Sequence, residues 1–152
     1  MNVGEVLIYI NPILVLCSIY FGFSNLKNSN KIYKRNFESL LAITLVTHTI
    51  SLLLLSYYCL VTDLRFESVS DYSAEHLSLG YKLAGVWAGR DGTLLIWAWA
   101  TVLSLNIERK LHSGEDSQKQ ITSIIGCIIL LAFFIIQLYI NQIQRPSCME
   151  KL

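Results

Sequence analysis

Arg90 and Asp91 stand side by side between Gly89 and Gly92, with Trp87 before them and Thr93, Trp97 and Trp99 after them. An adjacent Arg and Asp can form a local ion pair. The glycines let another backbone or a ligand approach closely. Each Trp offers a broad apolar ring and one N–H donor, a pairing suited to a lipid–water boundary. This set fits docking better than bond-making. The plainer reading is an interfacial turn that stops a helix, ringed by an aromatic belt.

His48 is the second residue of chemical interest. It lies in the middle of an apolar run. An ionisable side chain at membrane depth costs free energy unless it is paired or ligates something. Two roles are open to it: an axial ligand or proton relay, and a hydrogen bond to another helix. Thr44, Thr47, Thr49 and Ser51 surround it in sequence, and hydroxyl-rich helix faces favour the hydrogen bond. His76 and His112 read as solvated loop residues. The three His have no i, i+3 or i+4 partners, so no metal site is expected. No Ser/His/Asp or Cys/His set, phosphate loop or nucleic-acid signature is present, and no catalytic residue is assigned.

These residues must be held by membrane helices. The chain has 152 residues, 53% hydrophobic and 15% charged. Val6–Phe23, Leu40–Val61 and Ile121–Ile140 contain no Asp, Glu, Lys or Arg. A helix of about 20 such residues crosses a ~30 Å hydrocarbon core. A fourth uncharged segment, Thr93–Ile107, is shorter. Extended back through Leu83–Ala88 it reaches full length, with its entrance broken at Gly89–Gly92. The expected fold is all-α, a single polytopic membrane domain over 1–152. Its four spans are 6–23, 40–61, 86–107 and 121–140. Loop 62–91 carries a short interfacial helix over Leu79–Ala88, with Ser70 or Ser73 as candidate cap of a further turn. Pro12 is placed in the first turns of span one, where proline disrupts least.

The first span has no basic residues before it and no small-residue cleavage site after it, so a signal peptide is not expected. Lys27, Lys31, Lys34 and Arg35 follow span one, and Arg109, Lys110 and Lys119 follow the fourth-helix segment. With four spans both groups fall on one side. The positive-inside rule makes that side the inner one, leaving the N-terminus and loop 62–91 outside. Cys17, Cys59 and Cys127 sit singly in apolar runs and read as small hydrophobes. Cys148 is a lone candidate for an intermolecular disulfide. There is no CxxC. The spans contain no Asp or Glu, which argues against a cation-coupled transporter or a selectivity ring.

The stretch from Val61 to Trp99 resembles the N-terminal part of the CcmF-type cytochrome c maturation proteins, a haem lyase family. That family carries a D-F/Y-S element, a tyrosine opening a short helix, and a pattern like W-G-x-H-E-G-S-x-L-L-W. Asp71-Tyr72-Ser73 matches the first element and Tyr81-Lys82-Leu83-Ala84 the second. Trp87, Gly92, Thr93, Leu94, Leu95 and Trp97 match the third, with the family's spacing from Trp87 to Trp97. Arg90 stands where the family has His, Asp91 replaces Glu, Thr93 replaces Ser, and the glycine after the first Trp has moved to Gly89. A role carried by that family histidine does not transfer.

The resemblance implies the N-terminal subunit of a split haem lyase. Such a subunit scaffolds haem delivery and its covalent attachment to apocytochrome c on the outer side of the membrane. Haem would be bound mainly by a partner, a second CcmF-like chain with the Trp-rich haem-handling domain. Other cytochrome c maturation proteins and the lipid bilayer complete the expected partners; nucleic acid is not among them. Asp71, Tyr81, Trp87, Arg90, Asp91, Gly92, Thr93 and Trp97 form the expected haem- or partner-facing motif. The expected membrane is a mitochondrial inner membrane or a prokaryotic plasma membrane. Two readings compete. One is a structural subunit of a respiratory complex that keeps the fold without haem chemistry. The other is a small haem-binding subunit with His48 as axial ligand.

Overall fold

Two long helices open the chain, a kinked two-helix unit follows, and a third long helix closes the bundle. In a computed structural model the described residues are 3–28, 30–62, 69, 74, 76–111 and 116–144. They form five helices: α1 (Val3–Asn28), α2 (Lys31–Val61), α3 (Leu79–Ala88), α4 (Arg90–Leu111) and α5 (Asp116–Gln144). No strand occurs among the described residues. The all-α fold is as the sequence predicts.

The helices outrun the charge-free windows. α1 continues through Lys27, and α2 starts at Lys31 rather than near Leu40. The basic stretch 24–39 is therefore mostly helix, not a loop. Lys, Arg and Glu are good helix formers, and long basic side chains keep their heads in water while their stems lie on apolar surface. Asn30 caps α2, its Oδ1 accepting from the Ile32 N–H at 2.9 Å. At 31 residues, α2 runs roughly 46 Å at 1.5 Å per residue, so it projects beyond a hydrocarbon core. It ends at Thr62, whose φ of 56° is left-handed, a strained conformation for a β-branched residue. The Lys82 ammonium donates to the Thr62 hydroxyl at 2.7 Å, tying α3 to this corner.

Pro12 lies well inside α1 rather than in its first turns, because the helix starts at Val3. The proline leaves one turn without its hydrogen bond. It is buried beside Asn11, whose amide meets α2.

Three segments are long and apolar enough to cross a membrane: Val6–Asn28, Lys31–Val61 and Ser117–Ile140. The chain is an integral membrane protein. α4 is less apolar and lies outside that set, yet it is packed into the same bundle. α1 packs on α2 and α5, and α4 packs on α2 and α5, closing a four-helix ring. The core holds Val15 of α1, Phe37 and Leu41 of α2, Ala98, Val102 and Leu105 of α4, and Cys127, Leu130 and Phe134 of α5. Gly126 leaves room for the Leu105 side chain at the α4–α5 contact; a Cβ there would force that side chain to shift. A smaller core of Cys59, Val69 and Val86 sits beneath α3.

Candidate functional site

The expected fourth span is broken more sharply than the sequence implies. The break is one residue, Gly89, which is extended (φ −74°, ψ 139°). Arg90, Asp91 and Gly92 are not a turn; they form the first turn of α4. The Gly89 N–H closes α3 by donating to the Gly85 carbonyl at 3.0 Å, and the Gly89 carbonyl opens α4 by accepting from the Thr93 N–H at 2.9 Å. The Thr93 hydroxyl lies 2.7 Å from the Trp87 carbonyl and 2.9 Å from the Gly89 carbonyl, both acceptors. Thr93 thus fastens the end of α3 to the start of α4. A Cβ on Gly92 would overlap the Val86 carbonyl oxygen. Only glycine allows the two helices to meet at this angle.

The three tryptophans separate. Trp87 and Trp97 point outward, 69% and 61% exposed. Trp99 turns inward, and its Nε1–H donates to the Thr49 hydroxyl of α2 at 2.9 Å. An aromatic belt accounts for Trp87 and Trp97 but not for Trp99. Tyr81 and Arg90 are also exposed on the α3–α4 unit. The expected motif residues Tyr81, Trp87, Arg90, Gly92, Thr93 and Trp97 therefore share one helix-break-helix unit. The Asp91 side chain, the Asp71-Tyr72-Ser73 element, the capping candidates Ser70 and Ser73, His112 and Cys148 lie outside the described residues.

His48 is fully buried, and both ring nitrogens have protein partners. Nε2 lies 3.0 Å from the Leu95 carbonyl of α4, and Nδ1 lies 3.3 Å from the Asn11 amide nitrogen of α1. A carbonyl only accepts, so Nε2 carries the proton. Nδ1 then accepts from Asn11, and the imidazole is neutral. The Asn11 amide oxygen in turn accepts from the Thr47 hydroxyl. The Phe134 ring of α5 meets the imidazole edge-on at 5.2 Å. One side chain on α2 thereby touches all three other bundle helices, and neither nitrogen is open to a ligand in this arrangement.

Asn11, Arg109 and Gln120 complete the polar framework, and the sequence reading assigned them no site. Asn11 had a signal: it is an amide within an apolar run, where such groups bond across helices. Arg109 donates to Glu38 Oε1 at 2.9 Å and to Gln120 Oε1 and Ser123 Oγ at 3.2 Å each. Its guanidinium also lies over the Phe37 ring at 4.7 Å. Gln120 reaches the Gly22 carbonyl of α1 at 3.3 Å. Cys17 is exposed, while Cys59 and Cys127 are buried. No group of three or more metal-ligating side chains occurs among the described residues.

No family model matches the sequence, and no curated protein does either. Among solved structures, the chain matches one titled Cytochrome c Heme Lyase CcmF, with a TM-score of 0.79 and 16% identity. The match covers 88% of this chain and 23% of that one. The chain shares the fold of a part of CcmF. At this identity the likeness is one of architecture. The chain spans under a quarter of the CcmF structure that it matches.

Proposed function

We propose that this chain is the N-terminal subunit of a split cytochrome c haem lyase. The observation that carries the reading is the CcmF fold over 88% of the chain. The motif residues from Tyr81 to Trp97 support it, because they fall on one helix-break-helix unit on which Tyr81, Trp87, Arg90 and Trp97 are exposed. In this reading the α3–α4 unit faces the outer side of the membrane, where haem meets apocytochrome c. A second CcmF-like polypeptide supplies the Trp-rich haem-handling segment and its histidine ligands.

The chemistry of the lyase is thioether formation between haem vinyl groups and two cysteines of the apocytochrome. This chain's part is positional. Thr93 and Gly92 set the angle between α3 and α4, and that angle fixes where Trp87 and Trp97 present their rings. His48 holds the bundle rigid beneath them.

A second reading is favoured by Arg90, which replaces the family's imidazole, and by His48, whose nitrogens are both engaged. In that reading the chain is a structural subunit of a respiratory complex. Deleting the chain's gene and following covalent haem in c-type cytochromes separates the two. Loss of all haem-stained cytochrome c, restored by the intact chain, supports the lyase. Normal haem attachment with a missing respiratory complex supports the structural role.

A further inference from the structure

At the basic end of the bundle, at the far end of α4 from the Gly89 break, the four long helices leave a cleft of about 350 Å³. Its walls include Lys31, Lys34, Glu38, Arg109, Lys119 and Gln120. Four of these are cationic and one is a carboxylate. That carboxylate, Glu38, already accepts from Arg109 at 2.9 Å. Lys31 and Lys119 meet no carboxylate among the described residues. Arg109 is held in the wall, with a side chain only 9% exposed. Its Nε–H has no acceptor, although both terminal nitrogens are bonded. Arg109 is paired with Glu38 and keeps one unmet N–H donor, and beside it Lys31 and Lys119 meet no carboxylate among the described residues, so the cleft carries an excess of positive charge.

The depth of the cleft selects the kind of anion. The three membrane-crossing segments have termini at Asn28, Lys31 and Ser117, and the cleft is lined by Leu26, Lys31 and Ser117. It therefore lies in the plane where apolar helix gives way to polar residues, which is the headgroup plane. The next residues toward the apolar belt are exposed and apolar: Phe23 on α1, and Ile121 and Ile125 on α5. They offer a surface for acyl chains below a phosphate. Basic pockets between transmembrane helices are a known setting for acidic lipid headgroups.

We propose that this cleft seats the phosphate of an anionic phospholipid headgroup, held by Lys31 and Lys119 against the fixed Arg109, with Lys34 adding its charge to the wall. The phosphate chemistry is shared with free inorganic phosphate; the apolar surface below the cleft favours the lipid.

The full chain, with its co-extracted partners, is reconstituted in nanodiscs of phosphatidylcholine containing a minor share of phosphatidylglycerol. After return to detergent, retained lipid is read by native mass spectrometry. The wild-type chain is expected to retain phosphatidylglycerol above its share in the disc. The Lys31→Gln/Lys34→Gln/Lys119→Gln variant should lose that enrichment by roughly tenfold or more, given the usual worth of each basic residue near a headgroup. The single variants Lys31→Gln and Lys119→Gln should each lose part of it, which keeps the test valid if the triple variant folds poorly. The control Lys27→Gln/Arg35→Gln/Lys110→Gln removes the same charge from outside the cleft and should retain the lipid. Equal retention by lining and wild-type chains overturns the proposal, as does equal loss in lining and control variants. Displacement of the lipid by an equal concentration of inorganic phosphate would assign the cleft to a free anion and overturn the lipid assignment.

Discussion

The Nε2–H of His48 on α2 donates to the Leu95 carbonyl on α4 at 3.0 Å, within the first two turns after the Gly89 break. The contact ties the membrane-buried middle of α2 to the segment that carries Trp87 and Trp97. It is one of four polar links between α2 and α4 among the described residues. The others run from Trp99 to Thr49, from Asn106 to the Leu41 carbonyl and from Arg109 to Glu38. Without a hydrophobic force between helices in lipid, such links and close packing hold the pair together.

His48→Ala removes the donor to Leu95, the acceptor for Asn11 and the ring against Phe134. The expected cost is about 1–2 kcal/mol for the lost interhelical bonds, with a further cavity penalty. Thermal unfolding of the purified chain in detergent measures it. A variant of unchanged stability that instead loses a haem absorbance band would show ligation rather than packing.

Gly92→Ala should separate α3 from α4, because the new methyl overlaps the Val86 carbonyl oxygen. Gly80→Ala is the matched control. A Cβ there meets nothing within 4 Å, and an exposed helical Gly→Ala change stabilises by up to about 1 kcal/mol. Limited proteolysis near residue 89 should therefore rise in the first variant and not in the second. Equal cleavage in both would refute the close contact.

Trp87→Ala deletes a ring that is 69% exposed, so the bundle loses little packing. Cytochrome c assembly is expected to fail while the chain remains inserted at its normal level. Haem staining and membrane fractionation read the two quantities separately. Normal cytochrome c would remove Trp87 from the docking surface.

Trp99 and Thr49 should behave as a coupled pair. Trp99→Phe and Thr49→Val each break the 2.9 Å bond, so the double variant should cost less than the sum of the singles. The coupling expected for an interhelical bond in a membrane is roughly 0.6 kcal/mol, up to about 1.7 kcal/mol. A double-mutant cycle on unfolding in detergent measures it; strict additivity would mean that the bond contributes nothing.

Much of this architecture is legible along the chain, because membrane spans announce themselves by missing charge. The charge-free runs mark the cores of α1, α2 and α5, and Leu79–Ala88 is a helix over the predicted residues. The helix ends were harder to read. Lys27, Lys31 and Arg35 look like loop residues, yet they extend helices, since Lys and Arg are good helix formers and these positions are exposed to water. The break at Gly89 is narrower than Gly89–Gly92 suggests, since Thr93 caps it from inside α4. The site depended on pairings that sequence does not show. Asn11 and His48 lie 37 residues apart, and His48 and Leu95 47 apart. Nothing in the local pattern says which way Trp99 turns relative to Trp97. Helix rotation decides that, and it is set by neighbours on other helices.

The central claim concerns what assembles with this chain. A tag on the native chain, mild detergent extraction and mass spectrometry of every co-purifying polypeptide test it most directly. The account predicts a stoichiometric companion that carries the Trp-rich haem-handling segment and its histidines. A set of respiratory-chain subunits without that companion would contradict it.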